Sequence, residues 1–412
     1  MDCRVKPGND EERMALLSVT DALARVTGGL EPLGAERVPL EKARGRVLAE
    51  DLAACLTQPP FDASAMDGFA MRAEDVAAPP ATLRLVGESA AGSGFDGEVR
   101  QGEAVRIFTG APVPKGADTI VVQEDADFAH GVVTVKEAAG RHIRPRGQDF
   151  SQGEVLLRKG TKLGPRALML AAAMNHAEVP VRRRPKVAIL STGDEVVPPG
   201  SDPGPDQIIS SVSFGLAALV EAQGGEAMRL GIAKDTPESI ITLARTGSAA
   251  DILVTIGGAS VGERDLVSAT LRSEGLELDF WQIAMRPGKP LLYGSMGSQR
   301  VLGVPGNPVS ALICGLVFLV PMLHCLLGVD RDGRGLVEAV LGQNLEANGP
   351  RQHYMRGISD WGADGERVVR PLSSQDSSLM ADFARADCLI VLAPNAPSLR
   401  RGERVKIIPL DF

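Results

Sequence analysis

Apolar and polar positions along this chain change rhythm four times. Between 184 and 329, short β-branched runs alternate with helix-spaced stretches. Lys186-Val187-Ala188-Ile189-Leu190 and Ile252-Leu253-Val254-Thr255-Ile256 are mainly apolar runs of strand length, and 228–232 is a third strand-like run. Residues 211–223, 238–245 and 266–274 carry apolar side chains at helical spacing. This alternation predicts a three-layer α/β domain, since each strand is buried on both faces by helices. Over 52–153 the rhythm is that of short strands and turns, as in Leu83-Arg84-Leu85-Val86, Ala104-Val105-Arg106-Ile107, Thr119-Ile120-Val121-Val122 and Val132-Val133-Thr134-Val135, which predicts a β-rich inserted domain. Residues 14–51 read as helices, with Ser18-Val19-Thr20-Asp21-Ala22-Leu23 at a cap and apolar spacing over 40–48. The alanine-rich 161–177 is helical as well and is expected to pack against them. A discontinuous helical domain, 14–51 plus 154–183, therefore brackets the insert. After a charged break at 330–335, the last domain, 330–412, shows short strands such as Cys388-Leu389-Ile390-Val391-Leu392 and few helix signals, which predicts a small β-barrel or sandwich.

Composition narrows the class. With 412 residues, 44% of them hydrophobic, the chain can bury several cores. A net charge of −8 argues against nucleic acid or an anionic membrane as the main partner. The five cysteines show no C-x-x-C and no zinc-ligand pairing with histidine, which fits a reducing cytoplasm. The first ten residues are polar and lack the apolar core of a signal peptide. Residues 309–327 have nearly the length and apolarity of a membrane span, but Pro321 and His324 interrupt them and a Pro-Gly-Asn-Pro turn precedes them, so a buried helix of the α/β domain is expected.

Candidate chemistry collects at the ends of the predicted strands. Thr255-Ile256-Gly257-Gly258-Ala259-Ser260-Val261-Gly262-Glu263-Arg264-Asp265 is a glycine-rich loop between a strand and a helix, where backbone N–H groups converge on anions in open α/β sheets. It is neither a Walker loop nor G-x-G-x-x-G. Ser191-Thr192-Gly193-Asp194-Glu195 and Pro305-Gly306-Asn307-Pro308 follow two other apolar runs, with Asn307 as a helix cap and Pro308 at the first helical position. Glu195, Asp235 and Asp265 lie in or just beyond such loops and, as hard oxygen donors, suit Mg²⁺ better than zinc. His130, His142, His176, His324 and His353 share no ligand or triad spacing, so catalysis by positioning and charge is expected.

The order of seven motifs resembles the molybdopterin molybdenumtransferases, MoeA in bacteria and the gephyrin E domain in animals. They are Pro59-Pro60-Phe61-Asp62-Ala63-Ser64-Ala65-Met66-Asp67-Gly68, Thr109-Gly110-Ala111-Pro112, Arg146-Gly147-Gln148-Asp149, the Ser191 and Gly257 loops, Pro287-Gly288-Lys289-Pro290, and Pro305-Gly306-Asn307-Pro308. The resemblance implies insertion of molybdate into adenylylated molybdopterin, with release of AMP and a divalent cation, Mg²⁺, held by Glu195, Asp235 and Asp265. It implies that Asp67 and Asp149 join those three as catalytic carboxylates. The implied substrate and anion contacts are Thr109, Arg144, Ser191, Thr192, Gly257, Gly258, Ser260, Arg286, Lys289, Pro305, Asn307 and Ser377. Arg286 stands where the family often has lysine, and Asp376 stands beside Ser377 where it usually has glycine. The resemblance further implies a cytoplasmic homodimer with the site shared between chains, and transient contact with the adenylyltransferase of the pathway. That adenylyltransferase activity itself, on the shared α/β domain, and a non-catalytic scaffold are the alternatives; the extra domains argue against the first and the intact carboxylate set against the second.

Overall fold

The computed structural model describes residues 16–137, 140–258, 266–329 and 335–411. The chain divides into two compact units, one made of the N-terminal residues through Glu36 together with Arg182–Phe412, the other of Arg37–Val181.

The first unit contains the expected three-layer domain. Its six-stranded sheet runs in the order Glu226–Ala233, Lys186–Thr192, Ile252–Ile256, Gln299–Val304, Pro290–Met296, Glu277–Gln282. The first four strands are parallel; Pro290–Met296 pairs antiparallel to Gln299–Val304, and Glu277–Gln282 antiparallel to Pro290–Met296 in turn. Strand alternation sorts the core into two layers. Val187, Ile189, Val254 and Leu302 face helices Val19–Thr27, Val212–Ala222 and the run beginning at Pro308, while Ala188, Leu190, Leu253 and Val301 face Pro237–Thr246 and Leu266–Ser273. The apolar Pro308–Leu327 helix lies in the first layer, with Val309, Ile313, Phe318 and Leu323 fully buried, so its hydropathy belongs to a protein core. It carries a π-helical turn over Gly315–Leu319, just ahead of Pro321, which cannot donate to the helical ladder.

Two helical expectations change. Val19–Thr27 forms as the cap predicts, Ser18 Oγ accepting from Asp21 N at 3.0 Å. Its buried stripe of Val19, Ala22 and Val26, however, packs into the α/β core and not against the 161–177 segment. The Ala284 N to Leu17 O hydrogen bond, 2.7 Å, ties its start there. Residues 40–48 form only a 3₁₀ turn, Leu40–Lys42. Their backbone groups pair outward instead: Gly45 N and Leu48 N donate to Leu163 O and Thr161 O, and Ala49 N to Pro180 O.

The last part of the first unit is a closed barrel. Strands Val337–Leu341, Gln352–Trp361, Arg367–Pro371, Cys388–Leu392 and Arg404–Pro409 pair around a ring that Gln352–Trp361 and Cys388–Leu392 close. Closure removes the free edges that a sandwich would leave, and decides for the barrel. A short strand from the α/β domain, Met285–Arg286, adds in parallel to Gln352 and His353.

The second unit is built on a six-stranded sheet ordered Thr119–Val122, Gly68–Met71, Glu103–Ile107, Ala81–Ser89, Val132–Val135, Ala126–Ala129. A separate core gathers Leu48, Leu52, Phe150, Leu163, Ala171, Met174 and Val181 around helix Pro165–Ala173.

Candidate functional site

In the α/β domain, register brings the candidate loops to one edge. Thr192 pairs with Ala233, Ser191 with Ile256, and Ile256 with Val304, so four parallel strands end level. Beyond these ends lie the Gly193–Glu195 turn, Lys234–Asp235, Gly257–Gly258 and Pro305–Asn307. The turns interlock through their backbones. Gly193 N donates to Ala233 O at 3.2 Å, Gly257 N to Val304 O at 3.1 Å, and Asp235 N to the Asp194 carboxylate at 3.2 Å. A side chain at Gly193 would meet the Glu195 carboxylate, with its Cβ 2.6 Å from Oε2, so that carboxylate lies folded over the turn. Ser191 and Thr192 are buried, and the Thr192 hydroxyl is spent on Ile256 O at 3.2 Å, which makes it a brace between two strand ends.

Asn307 occupies the predicted cap position, with Pro308 opening the helix. Its side chain does not cap. The amide Nδ2 instead donates to Ser377 Oγ at 3.2 Å, across 70 residues of sequence. Ser377 is held out from the barrel by a stapled loop. Arg356, 2% exposed, donates from its guanidinium to Ser374 O at 3.1 Å and Leu379 O at 3.4 Å. Gln375 completes the staple, accepting from Arg356 N and donating to Arg356 O and Leu372 O. Asp376 turns onto Ser378, whose N–H and hydroxyl both donate to Oδ1, and these bonds, with Arg356 nearby, hold its carboxyl below the usual range. The residue at the glycine position is thus a turn carboxylate that leaves Ser377 facing Asn307.

Arg286 and Lys289 are exposed on either side of Pro287-Gly288, and Gly288 packs against the buried Cys314, where a Cβ would fall 2.6 Å from Sγ. Arg286 stands opposite His353 in the added strand. Burial first, then the cations Arg286, Arg351 and Arg356, push His353 down to about 4, which keeps it neutral at pH 7.

In the second unit three motifs form one layered element. The Pro59 to Gly68 stretch lies between the other two: Asp149 N and Phe150 N donate to Gln58 O, Gly147 N to Pro59 O, and Arg146 N to Asp62 Oδ1 at 2.8 Å. On its other side, Gly110 N donates to Ser64 O and Ser64 N to Ala111 O. This places Asp67 beside Thr109, whose N–H and hydroxyl both donate to Asp67 Oδ1 at 2.8 Å. Those bonds, ahead of the nearby Arg106 charge, hold the Asp67 carboxyl below its ordinary value. Asp67 precedes a strand, not a reverse turn, because Gly68 already pairs with Ile107 and Val122. Arg144 and Asp149 are exposed, Arg144 in the short strand opposite Ala63.

Ser260 and Asp265 lie outside the described residues. Among the described residues no three His, Cys, Asp or Glu side chains converge as a metal cage. Asp194, Arg106, Arg356 and Gln375 escape sequence reasoning. Arg356 and Arg106 sit in ordinary strand alternation, and nothing local marks one as buried or the other as stacked.

The chain's relatives agree with this layout. Residues 17–175 match the family described as MoeA N-terminal region (domain I and II), 188–324 the probable molybdopterin binding domain, and 338–410 the MoeA C-terminal region (domain IV). A molybdopterin molybdenumtransferase of Haemophilus influenzae is 35% identical over 385 residues, covering 92% of this chain and 95% of that protein. One of Nostoc is 34% identical over 393 residues, covering 92% and 89%. Two crystal structures of the molybdopterin biosynthesis MoeA protein of Pyrococcus horikoshii superimpose with TM-scores of 0.81 and 0.82 at 31% and 28% identity, each covering 96% of this chain and 100% of the other.

Proposed function

The chain belongs to the molybdopterin molybdenumtransferase family, and on that premise we propose that it inserts molybdate into adenylylated molybdopterin, releasing AMP and the molybdenum cofactor. The observation that carries the reading is the level ending of four parallel strands, with Asn307 bridged to Ser377 at the same edge. Open α/β sheets bind anionic ligands at such edges, where turn N–H groups and helix starts face outward. The family matches extend from 17 to 410, far beyond a single α/β domain, which disfavours the adenylyltransferase alternative.

Both substrates are anions, so the chain's own part is to neutralise, orient and exclude water. Gly257 and Gly258 open the loop at the strand edge, and Ser260, assigned from the sequence, would add a hydroxyl. Ser191, Thr192 and Pro305 form the rigid floor beneath it. Asn307 and Ser377 present an amide and a hydroxyl, and Arg286, Lys289 and Arg144 supply positive charge. Arg286 adds a planar fork where a lysine would be a point charge. Asp67, fixed by Thr109, and Asp149 are the carboxylates of the second unit that face substrate. By donor chemistry, hard carboxylate oxygens suit Mg²⁺, and in this reading Glu195, Asp235 and Asp265 would hold it. When bound, Mg²⁺ would offset the negative charge of the phosphoanhydride.

We place this activity in the cytoplasm, to which the free thiols of Cys55, Cys314, Cys325 and Cys388 are suited. The working form in this reading is a homodimer with the site shared between chains, fed by transient contact with the adenylyltransferase of the pathway.

Purified adenylylated molybdopterin tests the proposal, with AMP release followed with and without molybdate and Mg²⁺. Release that needs molybdate supports it, and no release with both present refutes it. Full Mg²⁺-dependent release by both Asp265→Asn and Glu195→Gln overturns the metal assignment. Mixed dimers of Asp67→Asn and Asp265→Asn chains regain activity if the site is shared; confirmed mixed dimers without activity place it within each chain.

A further inference from the structure

Arg106 lies three residues before Thr109, on the strand paired with the one that Asp67 precedes, directly opposite Phe69. Its guanidinium carbon stands 4.7 Å from the centroid of the Phe69 ring and 5.4 Å from that of Phe108. A planar cation is at home against aromatic faces, and two rings restrict its swing more than one. Its NH2 group donates to Gln123 Oε1 at 2.7 Å, and Gln123 N donates to Asp67 O at 3.1 Å. A circuit results. Phe69 and Gln123 grip Arg106, Gln123 grips the Asp67 backbone, and Thr109 grips the Asp67 side chain. Both Thr109 bonds fall on Oδ1, and Oδ2 takes neither.

Nothing in packing alone requires a cation here. Phe69 is buried with Arg106 over its face, and an uncharged side chain of similar length at this half-exposed position would cover the ring as well. What the guanidinium adds is a rigid link between the strand that leads to Thr109 and the backbone of Asp67. We propose that Arg106 is a positioning residue of the transferase, one that sets the Asp67 carboxylate and the Thr109 hydroxyl in the geometry that meets substrate. The proposal rests on the reading above that Asp67 faces substrate. Arg106 itself acts through Asp67 and needs no contact with the reacting atoms.

Arg106→Gln, Arg106→Lys and Gln123→Leu test it in the full-length protein, by molybdate-dependent AMP release. Arg106→Gln should lower kcat/KM about tenfold or more, and Arg106→Lys should recover part of the loss through charge without the planar stack. In an Asp67→Asn background, Arg106→Gln should add little to the affinity lost for adenylylated molybdopterin, since residues acting through one another are non-additive. Losses that multiply, or a wild-type kcat/KM in Arg106→Gln, overturn the proposal. Should Arg106→Gln fail to fold, Gln123→Leu, at an exposed position, carries the test: unchanged kcat/KM there overturns it too. A crystal structure of Arg106→Gln reads positioning without activity. Thr109 Oγ1 still 2.8 Å from Asp67 Oδ1 refutes the positioning role, whereas a wild-type protein that releases no AMP refutes the activity reading alone.

Discussion

Replacing Gly68 by alanine separates steric need from turn need at the Asp67 motif. The glycine is buried in the strand between Thr119–Val122 and Glu103–Ile107. An added Cβ would overlap the Val121 carbonyl oxygen and lie 2.9 Å from its carbon and 3.0 Å from Val122 Cα, all backbone atoms that cannot rotate away. Overpacking of this kind costs about 1–3 kcal/mol. Prying the neighbouring strand away weakens its ladder hydrogen bonds at roughly 1 kcal/mol each, so the expected total is about 3–4 kcal/mol. Gly110, in the adjoining motif, is the control. It has φ +82 and nothing within 4 Å of an added Cβ, so Gly110→Ala meets only left-handed backbone strain of about 1–2 kcal/mol. Because the chain forms two compact units, one global melt is not a clean measure. Hydrogen exchange at the Phe69 and Val121 amides, which stand opposite each other in the two strands, reads the local sheet. Gly68→Ala should speed that exchange by at least about a hundredfold, and Gly110→Ala by roughly tenfold. Near-wild-type exchange in Gly68→Ala, or a larger effect from Gly110→Ala, refutes the reasoning.

Arg356→Leu should unstaple the Ser374–Leu379 loop and cost about 2–4 kcal/mol, read by chemical denaturation and by loss of order at Ser377 in a crystal structure. His353 is pushed from an ordinary 6.5 down to about 4. The unfolded chain therefore binds the extra proton between those values, so the stability contribution is full above pH 6.5 and lost as pH falls toward 4. His353→Gln should remove a destabilisation of up to roughly 3 kcal/mol on acidification, and an unchanged slope of stability against pH in that window would count against the assignment. Burial pushes the Cys314 and Cys388 thiols up to about 12. Native protein treated with iodoacetamide should therefore label Cys55, which is exposed, and spare those two; equal labelling by peptide mapping refutes the burial argument.

Local signals were enough where one residue's role depends on its immediate neighbours. The apolar runs at Lys186 to Leu190 and Ile252 to Ile256 became central strands because a strand buried on both faces needs no partner-specific pattern. The same strand-to-loop grammar located Gly193, Gly257 and Asn307, and motif order carried the family. Packing decided the rest. The apolar spacing over 40–48 is compatible with a helix, yet the backbone donors there found better-placed acceptors at Thr161, Leu163 and Pro180, more than 100 residues away in sequence. Helix Val19–Thr27 was legible from its cap, while its docking site on the α/β core followed from which apolar stripe met a matching surface. Asn307 looked like a cap and became the partner of Ser377, because the closed barrel delivers that hydroxyl to it. Arg356, Arg106 and His353 were silent in sequence for one reason: charge, burial and stacking are set by neighbours that only the folded chain brings together. Sequence determined the elements and the loops that carry chemistry; tertiary structure determined which of those loops meet, since hydrogen bonds and steric exclusion act between atoms close in space, whatever their distance along the chain.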